Sequence, residues 1–256
     1  MVFLKLTTIK YYILYYIIII IINKVNSIFV TIQNEKDLIN YINTTNNDEL
    51  TINIGKGIID ISSPIEIKND FKILSIVGLS NKVSQLNFNN LTTSLIFNSF
   101  IHQIKIENLS IEGYLNFKKY TNIHFHNVIL NGNLEINSTK DGNETINFDH
   151  FEFHSLIEPN IKRDNCIELS GTVIINESSF YGNSYCMSSI INYNGDNNVY
   201  FNITKSYFDG VYSNNCLSIT NSNLTYIEST NFERGASYDS DTGGYAVIIL
   251  KLNVKW

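Results

Sequence analysis

Apolar residues recur along this chain in pairs whose members are five positions apart. Successive first members are 19, 23, 27, 28 and 24 residues apart, which is close to the roughly 20 to 50 residue period of stacked repeats. Polar and apolar residues alternate just before each pair, as they do in β-strands. The pattern therefore predicts two strands joined by a bend in each repeat. The pairs are Ile106/Ile111, Phe125/Leu130, Phe148/Phe153, Ile175/Phe180, Ile203/Phe208 and Ile227/Phe232.

Small residues follow most of these pairs at a fixed distance. Glycine stands two residues after the second member in four repeats, and serine or arginine takes that place in the other two. Because glycine adopts positive φ without a steric penalty, this phase of the repeat is expected to hold a tight bend. The positions are Gly113, Gly132, Ser155, Gly182, Gly210 and Arg234.

The repeats are too short to bury an apolar face alone, so each must stack on the next at the strand spacing of about 4.8 Å. Helical repeats are disfavoured because the segments are rich in Ile, Phe, Tyr, Thr and Asn. Leucine-rich repeats are also disfavoured, because their leucine motif does not recur at a constant spacing in this chain. The predicted fold is all-β, a right-handed parallel β-helix with coils over residues 51–245.

The first 27 residues have the pattern of an export signal. Lys5 and Lys10 precede an apolar run over residues 11–22, and Val25 and Ser27 supply the small residues of a cleavage site. Cleavage after Ser27 is the favoured interpretation. The alternative is an uncleaved signal anchor that holds the chain in a membrane through residues 2–22. Both interpretations place the protein outside the cell or on its surface.

Residues 28–50 are predicted to cap the β-helix. Asn34 can cap a short helix whose apolar stripe contains Leu38, Tyr41 and Ile42. Such a helix would cover the apolar core and the unpaired backbone at an open end. Residues 246–256 are predicted to form a terminal strand.

The amino-acid composition and the net charge exclude two classes of protein. The chain is 44% hydrophobic and only 16% charged, which excludes a disordered protein. Its net charge is -6 and its body has no Lys/Arg cluster, so nucleic acid is excluded as a partner.

The three cysteines are an odd number for an exported chain. Cys166 and Cys216 begin similar strands two coils apart, about 10 Å, which is too far for a disulfide. Cys186 lies between them and could pair with either. The favoured interpretation is three small buried residues, or one cysteine whose partner lay in a missing C-terminus, and no metal-ligand spacing is present.

The early coils resemble a known family. The segments over residues 50–57, 63–67, 76–78 and 104–113 resemble the opening of secreted β-helix proteins of the pectin-lyase-like superfamily. Residues 231–237 with Gly243 and Gly244 are similar to repeats of Asn-rich β-helix proteins that anaerobic fungi secrete, and to Gly-Gly-Ala-Ile repeats of bacterial surface proteins. Tyr245 interrupts that motif, so the resemblance also implies a truncated C-terminus.

The resemblance implies either a polysaccharide-cleaving enzyme or a non-catalytic relative. Hydrolases of the superfamily use paired carboxylates in a pattern that includes Gly-His-Gly and Arg-x-Lys, and this chain has neither motif. The lyases use Arg or Lys as base and clamp, whereas only Arg163 and Arg234 are present here. A non-catalytic protein for adhesion or carbohydrate binding is therefore favoured, with a degenerate lyase or hydrolase as the alternative.

Alignment of the coils places Glu107, His126 and Asp149 at one outward position of successive rungs, with Asn176 next. Such a set could bind a divalent metal or carry out acid/base chemistry. A polar surface ladder is the favoured interpretation, so no metal, cofactor or catalytic residue is assigned. His150 and His154 are expected at the surface.

Two features are expected to face solvent. Outward tyrosines on the later coils could stack on sugars: Tyr181, Tyr185, Tyr193, Tyr200, Tyr207, Tyr212 and Tyr226. The polysaccharide or cell-wall component that they would bind is the expected partner. Eight Asn-x-Ser/Thr triplets offer glycan acceptors: Asn43, Asn90, Asn108, Asn137, Asn143, Asn176, Asn202 and Asn223.

Overall fold

The computed structural model describes residues 26–88, 94–137, 144–156, 163–195, 199–222, 224–236 and 247–250. These residues form one helix, α1 (Glu35–Thr44), and twenty strands. The strands are β1 (Ser27–Ile32), β2 (Glu49–Ile54), β3 (Gly57–Ile61), β4 (Ile65–Ile67), β5 (Phe71–Gly78), β6 (Ser84–Phe88), β7 (Ser94–Phe97), β8 (Ile101–Phe117), β9 (Asn122–Ile136), β10 (Thr145–Ser155), β11 (Arg163–Leu169), β12 (Thr172–Asn176), β13 (Ser179–Tyr181), β14 (Cys186–Asn194), β15 (Tyr200–Thr204), β16 (Tyr207–Asp209), β17 (Asn215–Thr220), β18 (Leu224–Glu228), β19 (Asn231–Glu233) and β20 (Val247–Leu250).

The strands wind into a parallel β-helix of about 8 turns. One ladder follows the order β1-β2-β5-β8-β9-β10-β12-β15-β18, and a separate four-stranded sheet follows β11-β14-β17-β20. Every neighbour in either order is one coil further along the chain and runs parallel to the previous strand. The predicted fold class is confirmed.

The five-residue pairs occupy matching positions in successive coils, as predicted. Ile106 lies beside Phe125, Phe125 beside Phe148, and Phe148 beside Ile175. The second members follow the same register from Ile111 onward. All the paired residues are buried except Ile227 and Phe232, which are half-buried in the last pair.

Aromatic rings form a continuous stack inside the coils. Phe125 and Phe148 are parallel with centroids 5.3 Å apart, and Phe180 and Phe208 are parallel at 5.0 Å. Phe148 meets Phe180 edge to face at 5.7 Å, which connects the two parallel pairs. These offset and edge-on contacts are the favoured arrangements for aromatic rings. The apolar interior is thus shared between neighbouring coils.

The bend between the two strands is a single residue with positive φ. Residues on one face of a strand are an even number of positions apart, so an interval of five needs one residue outside the alternation. That residue lies two positions after each first member in all six repeats. We call these residues the bend row: Asn108 (φ 55°), Asn127 (54°), His150 (51°), Glu177 (47°), Lys205 (49°) and Ser229 (51°).

The glycines that follow the pairs do not share one tight bend, so the prediction for this phase holds only in part: Gly113 and Gly132 lie inside β8 and β9, whereas Gly182 and Gly210 directly follow β13 and β16. Gly113 and Gly132 have positive φ, but Gly182 and Gly210 do not. Close backbone approach explains the glycine at two of these sites. A Cβ on Gly132 would lie 1.7 Å from the carbonyl oxygen of Gly113, and one on Gly210 would lie 2.3 Å from that of Asn214.

Helix α1 packs against β1, β3 and β4 at the first described coils. The side chain of Asn34 accepts a hydrogen bond from the backbone N–H of Asp37, 2.9 Å, which caps the helix as predicted. Leu38 and Ile42 are fully buried in the core. A β-strand, β1, precedes the helix and pairs with β2, which the sequence pattern did not indicate.

The cysteines correct the favoured interpretation of three unpaired residues. Cys166 and Cys186 form a disulfide with a Cα–Cα distance of 5.2 Å, which was one of the pairings left open. Cys216 is free and buried. Burial raises the pKa of its thiol to about 11, so it stays protonated and unreactive at neutral pH.

The positive φ of the bend row leads to a prediction about the free energy of unfolding. A β-branched side chain is disfavoured at positive φ, and the left-handed conformation costs about 1 to 2 kcal/mol for an ordinary residue. Serine already bears part of this cost, so Ser229→Val should lower the free energy of unfolding by at most about 1 to 2 kcal/mol. Ser218→Val, at an ordinary strand position of β17, is the control and should leave it unchanged. Urea unfolding compares the two variants, and equal effects would contradict a bend at Ser229.

The disulfide leads to a second prediction, which concerns the effect of reductant on stability and the number of reactive thiols. Its cysteines are 20 residues apart, and closing a loop of this size typically contributes about 2 to 4 kcal/mol. Reductant should lower the free energy of unfolding of the wild-type protein by that amount but leave the Cys166→Ala/Cys186→Ala variant unaffected. Thiol titration should find no reactive thiol in the native protein and one after denaturation without reductant. Three thiols after denaturation would contradict the pairing.

Candidate functional site

The outward polar ladder lies along the first strand of the central coils. Glu107 is in register with His126, His126 with Asp149, and Asp149 with Asn176. We call this ladder, which continues through Thr204, the outward row. The sequence-predicted order of these side chains agrees with the strand register.

Hydrogen bonds connect the members of the outward row. His126 Nδ1 lies 2.7 Å from Asp149 Oδ2, and Asn176 Nδ2 donates to Asp149 Oδ1 at 2.9 Å. Thr204 Oγ1 donates to Asn176 Oδ1 at 2.8 Å. Burial raises the pKa of the Asp149 carboxyl, but the hydrogen bonds from Asn176, His126 and His150 outweigh it and lower the pKa.

The bend row brings further groups to the same place. His150 Nδ1 lies 3.1 Å from Asp149 Oδ1, and His150 Nε2 lies 2.9 Å from Glu177 Oε2. Lys205 Nζ lies 3.1 Å from Glu177 Oε1. We call His126, Asp149, His150 and Glu177 the histidine-carboxylate cluster. His150 is exposed, as expected from the sequence, but its contacts with both carboxylates were not predicted.

A neighbouring row adds His124, whose ring is parallel to that of His126 at 6.1 Å. Burial lowers the pKa of the His124 imidazole, and the nearby Glu107 carboxylate opposes this effect. Lys105 and Asn147 lie on either side of His124 in register.

A polar groove is formed by residues that belong to neither the outward row nor the bend row. It has a volume of about 880 Å³ and is formed by the ends of β8 and β9 together with β11. Three carboxylates and one lysine line it, among several amides. The lining residues are Asn98, Asn116, Lys118, Leu134, Glu135, Ile136, Asn137, Asp164, Asn165, Cys166 and Glu168.

The tyrosines do not form the single sugar-stacking face that the sequence suggested. Tyr193 is fully buried, and its hydroxyl donates to the carbonyl oxygen of Gly171 at 2.8 Å. Tyr181 stacks on His154 with ring centroids 4.4 Å apart, and the Tyr207 ring is tilted toward it with centroids 5.8 Å apart, so His154 already covers one face of Tyr181. Of the remaining tyrosines, Tyr185 is half-buried, whereas Tyr200, Tyr212 and Tyr226 are exposed.

Arg234 is held in an ion pair. Its guanidinium binds the carboxylate of buried Asp209 through Nε, at 2.7 Å, and through Nη2. The backbone N–H of Val211 also donates to Asp209, at 2.9 Å. Burial raises the pKa of the Asp209 carboxyl, but the Arg234 and Val211 hydrogen bonds outweigh it and lower the pKa. Arg234 is therefore already engaged by Asp209, while Arg163 begins β11.

The glycan acceptors differ in exposure. Asn43 and Asn137 are exposed, whereas Asn108, Asn176 and Asn202 are half-buried. The remaining acceptors, Asn90, Asn143 and Asn223, lie outside the described residues, as do residues 1–25 of the predicted export signal over residues 1–27.

Comparisons with known proteins do not extend this picture. No family model matches the sequence, and no curated protein matches it. Across the part of the chain that the structure describes, no helix has the length and apolar character needed to cross a bilayer.

The Asp209–Arg234 pair predicts a pH dependence of stability. Because the folded-state pKa of Asp209 lies below its unfolded value of about 3.9, the stabilisation is present above that value and is lost as pH falls through the folded pKa. The stability difference between wild type and Asp209→Asn should thus be largest near pH 6 and shrink below about pH 4. Unfolding curves across this range measure it.

Arg234→Gln provides the control, because it removes the main partner of the carboxylate while keeping Asp209. Without the guanidinium, burial acts against the charged Asp209 carboxylate, so this variant should not show the loss of stability that the wild type shows as pH falls through the folded pKa. An Asp209→Asn variant whose difference from wild type stays constant from pH 6 to pH 3 would contradict the assignment.

Proposed function

We propose that the protein is a secreted or cell-surface β-helix, related to the pectin-lyase-like superfamily, that binds a polysaccharide without cleaving it. The polar groove is the observation that carries this proposal. Its volume of about 880 Å³ is within the range of small-molecule sites, roughly 300 to 1,000 Å³. Such a volume accommodates a few sugar units.

The lining of the groove suits hydroxyl groups. Amides and carboxylates both form hydrogen bonds with hydroxyls. Asn116 and Glu135 carry one of each on adjacent rungs, and both already bind the hydroxyl of Tyr114. The rungs repeat at about 4.8 Å, which is close to the length of one sugar unit in an extended polysaccharide. Successive sugars could therefore meet equivalent side chains on successive coils.

The charged side chains that line the groove determine which class of polysaccharide can bind there. The groove has the carboxylates of Glu135, Asp164 and Glu168 against the single ammonium of Lys118. An acidic polymer would be repelled by this excess of negative charge. We therefore assign a neutral polysaccharide, rather than polygalacturonate, as the ligand.

The disulfide supports the extracellular location. Disulfides such as Cys166–Cys186 persist in oxidising compartments and are rare in the cytosol. The export pattern over residues 1–27 supports the same location. Export would make the exposed acceptors Asn43 and Asn137 accessible to glycosylation.

The engagement of Arg234 by Asp209 supports a non-catalytic role. A lyase would need a free basic side chain to abstract a proton and to clamp a substrate carboxylate. Arg234 is not available for that role, and we propose binding without product release.

Matched double variants test the groove. Asn116→Ala/Glu135→Ala removes an amide and a carboxylate from adjacent rungs of β8 and β9 inside the groove. Glu112→Ala/Asn131→Ala removes the same pair of groups from the same two strands outside it. Affinity electrophoresis against xylan, mannan, β-glucan and polygalacturonate should show retardation by a neutral polymer. The groove variant should lose at least about 10-fold in affinity, which corresponds to about 1.4 kcal/mol, and the control variant should bind as the wild type does.

Three outcomes would contradict the proposal. The first is that no neutral polymer retards the wild-type protein. The second is that both double variants lose affinity equally, which would place the binding surface elsewhere. The third is that incubation with a polymer releases soluble or unsaturated sugars, which would identify a polysaccharide-cleaving enzyme.

A further inference from the structure

We propose that the histidine-carboxylate cluster is a site for a divalent transition-metal ion, with Zn²⁺ preferred over Mg²⁺ and Ca²⁺. His126, Asp149 and His150 would be the ligands, and Glu177 and Asn176 the positioning residues. This site is independent of the polar groove and of the polysaccharide proposed to bind there.

The donor atoms are already close enough to share an ion. The ligand atoms of His126, Asp149 and His150 all lie within 4.8 Å of one another. Two donors bound to one Zn²⁺ at about 2.1 Å each are separated by no more than about 4.2 Å. The side chains of His126 and His150 are 42% and 50% exposed, so small rotations can close the remaining gap.

The geometry around Asp149 is organised for a ligand. One carboxylate oxygen faces His126 Nδ1 at 2.7 Å and the other faces His150 Nδ1 at 3.1 Å. The amide of Asn176 donates to Oδ1 at 2.9 Å and is itself held by Thr204. The carboxylate is therefore fixed between the two imidazoles.

Glu177 supplies the second observation that points to a metal. Histidine ligands in proteins usually donate the ring N–H that does not face the metal to a carboxylate, which fixes the tautomer and the ring orientation. Glu177 Oε2 lies 2.9 Å from His150 Nε2, the nitrogen opposite to the one that faces Asp149. Lys205 holds the other oxygen of Glu177 at 3.1 Å. This arrangement leaves His150 Nδ1 as the ligand atom.

The ligand types determine which metal the site prefers. Imidazole nitrogens suit Zn²⁺, Cu²⁺ and Ni²⁺, whereas Mg²⁺ and Ca²⁺ require sets of oxygen ligands. Two imidazoles and one carboxylate are also a common protein ligand set for Zn²⁺ with an open fourth position. Glu107, the rung neighbour of His126, lies outside the group of close donors, so water would occupy that position.

Metal titration of the full-length protein without an affinity tag tests the site. Zn²⁺ affinity is measured by competition with a chromophoric chelator, and Co²⁺ serves as a spectroscopic probe of coordination. We expect one Zn²⁺ per chain, and a Co²⁺ adduct with the visible absorption bands of four- or five-coordinate cobalt. Excess Mg²⁺ or Ca²⁺ should not displace the Zn²⁺.

Three single variants identify the ligands. His126→Asn removes a ligand and should weaken Zn²⁺ binding more than about 100-fold, whereas loss of a positioning residue through Glu177→Gln should weaken it about 10- to 100-fold. Both side chains face solvent at least in part, so neither change disturbs the core. His154→Asn is the control, since His154 also contacts a carboxylate, Glu152 at 2.7 Å, but outside the cluster.

The expected cobalt spectrum should be lost in His126→Asn, altered in Glu177→Gln and unchanged in His154→Asn. Circular dichroism and the unfolding midpoint without metal verify that each variant is folded. Equal Zn²⁺ affinity of the wild type and His126→Asn would overturn the proposal, and so would an equal loss of affinity in His154→Asn. Zn²⁺ binding that excess Ca²⁺ abolishes would overturn the assignment of a transition metal.

Discussion

The fold of the six coils that carry the apolar pairs depends on one residue in each coil that adopts positive φ between the two members of the pair. Without the bend row, an interval of five would direct one member of each apolar pair to solvent, because the faces of a strand alternate. The left-handed residue resets the alternation, so that both members of pairs such as Phe148/Phe153 are buried. The stacked aromatic core and the outward row both follow from this single conformational constraint.

Much of the architecture could be predicted from the sequence because alternation encodes which face each strand residue occupies. The register of Glu107, His126 and Asp149 follows once the apolar pairs are aligned. The contacts of His150 could not be predicted in the same way, because a residue at a bend lies outside the alternation. A signal was nevertheless present, since the position two residues after each first member is polar in all six repeats.

Features of the other segments of the coil were harder to predict. The pairs fix the phase of the first two strands only, and the chain between one pair and the next varies in length. The burial of Tyr193, its stacking on Phe201 at 4.3 Å and the pairing of Cys166 with Cys186 all belong to the sheet of β11, β14, β17 and β20 or to the turns that enter it. The polar groove is partly formed by the same sheet.

The contrast between a constant interval and a variable period has an evolutionary consequence. Insertions and deletions between the pairs make the coil length vary between 19 and 28 residues. The five-residue interval within each pair stays constant, and so does the stacked interior. One side of the rod can therefore acquire new loops and new recognition chemistry without any adjustment of the core. The opposite side, where the bends stack directly, accepts only residues that adopt positive φ at the bend and does not accept changes in length.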